Sequence, residues 1–181
     1  MVAVFAGEFV EGHRHIINVN AGKKTGPAIQ YHFVMDVSAA ILQRVTSRFM
    51  RSRAAFERFD DAAAEREMVG PKWNVRDLAG HLAYWTEWAG LRVPELARGA
   101  TMEKLDLNKI NDEVYRKNRR MSFVMLLPQL RTAEDAAVAA IGRIPGDQLI
   151  EGAARECIDF ALIEHYDKHW PGLKSAVERL E

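Results

Sequence analysis

The sequence predicts an all-α protein, a four-helix bundle with a long crossover connection, preceded by an N-terminal extension of uncertain structure. Three observations predict it. Apolar residues recur at helical spacing through several long stretches beyond residue 35. Glycine and proline clusters such as VGPK and PGD punctuate those stretches. No strand-like alternation competes with them there, so the stable way to bury the stripes is helix on helix.

Residues 1–34 are rich in Val, Phe and Gly. Turn signals in NAGKKTGP and weak alternation in HIINVN and AIQYHFV fit a short hairpin. We read this segment as an appendage to a functional domain at 35–181, with Met35 as a second candidate start.

Helix one is expected over about residues 38–64, with Ile41, Val45, Phe49, Phe56 and Phe59 as its stripe and Asp36 or Ser38 as its cap. Helix two opens at WNVRDLAGHLAYWTEW, where Asn74 is a good N-cap and Asp77 places an acid in the first turn. Trp73, just before the cap, can fold over that turn as a hydrophobic staple. Residues 94–107 read as a connection crossing the end of the bundle, followed by a shorter helix at NKINDEVYRKNRR. Ser122 can cap the next helix, within which Pro128 should produce a kink or a late start. The last helix is expected over about residues 154–170, bending at Pro171 and continuing through LKSAVERL.

Composition limits the function. The 181 residues suit one well-buried domain, and the formal charge is zero, with 25 basic and 25 acidic residues. A nucleic-acid partner is therefore not expected, since phosphate-backbone binding needs a basic footprint. The basic residues at 116–120 read as a solvated helix end. No run of 18 apolar residues exists, so no membrane partner is expected either. The N-terminus makes a poor secretory signal, and a single cysteine, Cys157, fits a reducing, cytoplasmic setting.

The chemistry is carried by histidines. EHYDKHW sets His165 and His169 four apart, one above the other on a helix and close enough to grip one ion. Tyr166 stands where a metalloprotease helix has glutamate, so that chemistry is not expected. His81 shares a face with Trp85 and Trp88 and points inward. From the residues alone, a core histidine bonded to a backbone carbonyl accounts for His81 as well as a ligand does. Three imidazoles with a fourth position left open would make a catalytic type of centre. His13, His15 and His32 receive no role. Cys157 lies eight residues before His165, about 12 Å along a helix at about 1.5 Å per residue, too far to be a ligand.

At this point the chain resembles a known family. WNVRDLAGHLAYWTEW and EHYDKHW are similar to the second-helix and closing-helix signatures of the DinB-like superfamily. The middle, LDLNKINDEVYRKNRRMSFVMLLPQL, resembles the ClbS/DfsB family most. The resemblance covers about residues 36–181. It implies a bundle in which His81, His165 and His169 bind a divalent metal. It further implies an activity among thiol-dependent transferases and isomerases or protective enzymes that open strained electrophiles.

The expectation is a metal-dependent enzyme acting by thiol transfer or hydrolysis on a small electrophile, in detoxification or stress response. The alternative is non-catalytic small-molecule binding or sequestration on the same fold. The metal would be Zn, Ni or Fe, with a low-molecular-weight thiol as a second cofactor. Trp85 and Trp88 are candidates for a substrate pocket, with Tyr84 and Trp170 beside them, and a place in the bundle core accounts for each of these rings as well. Asn111 and Tyr115, four apart on the crossover helix, are candidate hydrogen-bond donors. The partner is a small-molecule substrate and, at most, a second copy of the chain as a homodimer.

Overall fold

The structure, a computed structural model, describes residues 37–181. The expectations for the hairpin, for Asp36 and for His13, His15 and His32 lie outside the described residues.

Helix α1 (Val37–Phe56) buries Ile41, Val45, Phe49 and Phe56, the predicted stripe. The helix expected over 38–64 is, however, two. It stops at Phe56, and a short α2 (Asp61–Arg66) follows. Asp60 divides them: its carboxylate accepts the Ala63 N–H at 2.7 Å and starts a new helix, while Phe59 in the turn stays buried. Ser38 lies inside α1, and its hydroxyl donates to the Ile144 carbonyl at 3.3 Å.

Helix α3 (Val75–Ala97) opens as predicted. Asn74 Oδ1 accepts the Asp77 N–H at 2.9 Å and Asp77 Oδ2 accepts the Asn74 N–H at 3.4 Å, a reciprocal capping box. It runs on through Pro94, where the sequence suggested a connection, and ends only at Ala97. A proline inside a helix costs about 3 kcal/mol. Val93 and Leu96, both buried on this last turn, return about 1.5–3 kcal/mol each, so packing outweighs the break.

The crossover holds α4 (Leu107–Asn118), capped by Asp106, which accepts the Lys109 N–H at 3.1 Å. Its end packs on a bare point of α3: a Cβ on Gly80 would stand 2.3 Å from Asn118 Nδ2. Helix α5 (Phe123–Ile141) contains Pro128 in its second turn. Ser122 holds the N-cap position without a capping hydrogen bond, because Asp61 of α2 accepts the Val124 N–H at 2.9 Å instead.

The last span starts as α6 (Ala153–Ile158), passes through a π-helical turn at Asp159–Glu164 and continues as α7 (His165–Glu178). In that turn the His165 N–H reaches back five residues, to the Phe160 carbonyl. The wider turn lets Ala161, Leu162 and Ile163 all be buried in succession. Pro171 does not interrupt α7, and Gly172 beyond it brings the helix against the segment before α3, where a Cβ would stand 2.1 Å from the Val69 carbonyl.

Helix α1 packs on α5 and α7, and α3 packs on α5 and α6, which places α1 and α3 at opposite corners of a bundle. Among the described residues no helix is long and apolar enough to cross a membrane.

Candidate metal centre

His81 lies in the second turn of α3 and is held inward by its apolar neighbours Leu78 and Leu82, both buried. His165 and His169 occupy successive turns of α7, facing α3. The three come together: one ring nitrogen from each lies within 4.8 Å of the others, and His81 Nε2 and His165 Nε2 are 2.7 Å apart. The ring centroids are 4.7 Å (His81–His165), 5.1 Å (His81–His169) and 4.8 Å (His165–His169) apart.

All three rings are held neutral. Burial lowers His81 to about 2, with the positive charge of protonated His165 and His169 and of Lys168 adding to the effect. Burial likewise lowers His165 to about 3 and His169 to about 4, with Lys168 pushing both the same way. The backbone of Ala161 opposes the shift at His165 through a hydrogen bond. A bond that raises an imidazole pKa is one the ring donates, so the Ala161 carbonyl accepts from it. With one His165 nitrogen donating in this way, the other is left as a lone pair aimed at the cluster.

Such a donor set fits a divalent ion. Metal ligation requires neutral imidazoles, which burial already enforces. At a metal–nitrogen distance of about 2.0–2.1 Å, two ligands on a tetrahedral ion stand roughly 3.3 Å apart, inside the span seen here. His81 Nδ1 is buried without a hydrogen-bond partner, so no protein group competes to turn this ring away from the cluster. Among the described residues no carboxylate or cysteine joins the three histidines, which leaves any remaining coordination position open.

Aromatic rings enclose the cluster. Trp73 reaches past the first turn of α3: its ring lies 4.3 Å from His81 and stacks at 5.9 Å on His169. Sequence reasoning assigned it only to the helix start. Trp85, one turn beyond His81, is 6.2 Å from His165 and 6.3 Å from Phe160, a half-exposed ring on the π turn that periodicity alone did not single out. Trp85 Nε1 donates to Asn111 Oδ1 at 3.0 Å, tying α4 to this wall.

Trp88 meets Trp85 edge-on at 5.5 Å and stands one ring further out, and Tyr84 also meets Trp85 edge-on, at 5.4 Å. Tyr115 carries the Arg119 guanidinium 5.5 Å over its ring, and Trp170 carries Arg51 at 4.2 Å on the α1 side. Cys157 is fully buried, burial pushes its thiol up to about 12, and it does not join the three histidines. Two open clefts, of about 610 and 440 Å³, lie along α2 and the segment before α3, and none of the three histidines lines either.

A family model described as mycothiol maleylpyruvate isomerase N-terminal domain matches residues 45–156. The matched segment contains His81 and ends before His165, so it is the folded geometry that unites the two stretches. Comparison with curated proteins and with solved structures finds no match.

Proposed function

The chain belongs to the mycothiol maleylpyruvate isomerase N-terminal domain family, within the DinB-like superfamily, and from that premise we propose that it is a metal-dependent enzyme using a low-molecular-weight thiol against a small electrophile. The observation that carries this reading is the convergence of three neutral imidazoles with no fourth protein ligand among the described residues.

His81, His165 and His169 would hold the ion. When bound, a divalent ion supplies Lewis acidity that lets a thiol or a water lose its proton at neutral pH. Three neutral ligands leave the ion's double charge uncompensated, and Lys168 adds to the positive field felt by all three rings. An anionic exogenous ligand such as a thiolate is favoured by that charge balance. This, with the thiol in the family's description, favours thiol transfer over hydrolysis.

Trp73 shields one side of the cluster from water, and Trp85, anchored to Asn111, offers an apolar wall on the other. We take Trp85, Trp88, Asn111 and Tyr115 as the substrate side of the site. A role in detoxification or stress response, and the nearness of residues 105–130 to the ClbS/DfsB family, belong to the same reading.

Elemental analysis of protein purified without an affinity tag tests the proposal. It should find about one divalent ion per chain, and less than about one-tenth in His81→Ala. Turnover of model electrophiles should then require both the ion and an added thiol. A native protein that holds no ion near pH 7.5 would remove the reading. A loaded protein that turns over nothing with any thiol would leave a binding protein.

A further inference from the structure

Beneath the histidines lies a second polar group that metal binding does not use. Arg53 of α1, Thr86 of α3, Glu134 of α5 and Tyr166 of α7 form one hydrogen-bonded chain that joins four helices of the bundle. Arg53 Nε donates to Glu134 Oε2, the Tyr166 hydroxyl donates to Glu134 Oε1 at 3.0 Å, and that hydroxyl lies 2.8 Å from Thr86 Oγ1. Arg53 Nη2 also reaches Asp135 at 2.6 Å and the Arg131 carbonyl at 3.2 Å. Glu134 and Thr86 are 0% exposed and Tyr166 is 1% exposed, its ring packed 4.9 Å from Phe49.

A buried carboxylate and a buried phenol are costly features for a core. Packing the same volume with apolar residues is often neutral or stabilising. Position supplies a reason to keep them. Tyr166 directly follows His165, about 100° further round the same helix. The π turn immediately upstream breaks the regular hydrogen-bond ladder, so α6 does not by itself set how α7 is rolled about its axis. Apolar packing is non-directional, whereas a hydrogen bond weakens steeply when misaligned.

Side-chain tips lie about 5–6 Å from a helix axis, so a 10° roll of α7 would carry a histidine ring about 1 Å. Metal–ligand distances tolerate about 0.2 Å. The roll must therefore be held to within a few degrees. Asp167 ties α7 to Arg48 and Arg51 at 2.7 and 3.0 Å, but these pairs are solvent-exposed and constrain it weakly.

We propose that Tyr166 and Glu134 are positioning residues: through the Tyr166–Glu134–Thr86 bonds they set the roll of α7 that brings His165 and His169 to His81. This rests on the metal-binding reading above. Its test measures Zn²⁺ affinity by competition with a chromophoric chelator, and the d–d absorption of the Co²⁺-loaded protein. The chains compared are native, Tyr166→Phe, Thr86→Val and Lys174→Ala, the last an exposed control on α7.

Tyr166→Phe keeps the ring against Phe49 and should weaken Zn²⁺ binding about tenfold or more, with a shifted Co²⁺ spectrum. Lys174→Ala should change neither. Loss of thermal stability in Tyr166→Phe with Zn²⁺ affinity within about twofold of native would overturn the proposal, since a purely structural bond predicts that result. Thr86→Val keeps the Tyr166–Glu134 bond and gives a smaller loss in the same direction, which decides the matter if Tyr166→Phe does not fold. Native protein that binds no Zn²⁺ overturns this proposal together with the functional reading. Native protein that binds, with variants that bind equally, overturns this proposal alone.

Discussion

Mild acid should unfold the metal-free protein, and the histidines set the scale. Each ring has its folded pKa depressed, from 6.5 to about 2, 3 and 4 for His81, His165 and His169. Below pH 6.5 the unfolded chain therefore binds protons that the folded chain refuses, and stability falls as pH falls. One unit below the unfolded pKa, each histidine costs about 1.4 kcal/mol, so the three together cost about 4 kcal/mol at pH 5.5.

Glu134 acts in the opposite sense. Burial raises it from 4.5 to about 7, against the pull of Arg53, so the folded chain gains a proton first and stability rises by about 2 kcal/mol between pH 7 and 5.5. The net loss is about 2 kcal/mol at pH 5.5. It grows to about 5 kcal/mol at pH 4.5, comparable with the whole stability of a small domain. Urea unfolding followed by circular dichroism, with chelator present and at half-unit steps from pH 7.5 to 4.5, measures this directly. Glu134→Gln removes the compensation and should steepen the early fall to about 4 kcal/mol by pH 5.5. Stability that is flat or rising from pH 7.5 to 5.5 in the metal-free native protein would refute the reasoning, since three buried neutral imidazoles cannot give that slope.

Two further outcomes follow from packing. Cys157, fully buried and with its thiol pushed up to about 12, should resist a disulfide exchange reagent in the native protein and react at once in denaturant. Gly172→Ala would set a methyl group 2.1 Å from the Val69 carbonyl and should displace the segment before α3 that carries Trp73. The expected cost is about 1–3 kcal/mol, read as a lower unfolding midpoint with altered tryptophan fluorescence.

What could be read in the sequence was local. The stripe of Ile41, Val45 and Phe49, the Asn74–Asp77 box and the four-residue spacing of His165 and His169 are each written within one or two turns, where helical geometry converts spacing into direction. What was missed depended on competition between segments. Asp60 as a new cap divides a stripe that otherwise runs on past Phe56, and the burial of Val93 and Leu96 carries α3 through Pro94 against propensity.

The site divides along the same line. His81 could be placed on an inward face, but its partner across the bundle is 84 positions away, and no pattern within α3 distinguishes a ligand from a core histidine. The family resemblance supplied that pairing, and the fold brings the rings together. Glu134 shows the limit more sharply. In TAEDAAVAAI it reads as one acid of an ordinary solvated face, beside an exposed Asp135. Only the approach of Tyr166 and Arg53 from two other helices makes its burial tolerable. A buried charge is defined by residues that satisfy it from elsewhere in the chain. A metal cradle held in register by such a network is therefore partly invisible to any reading that proceeds helix by helix.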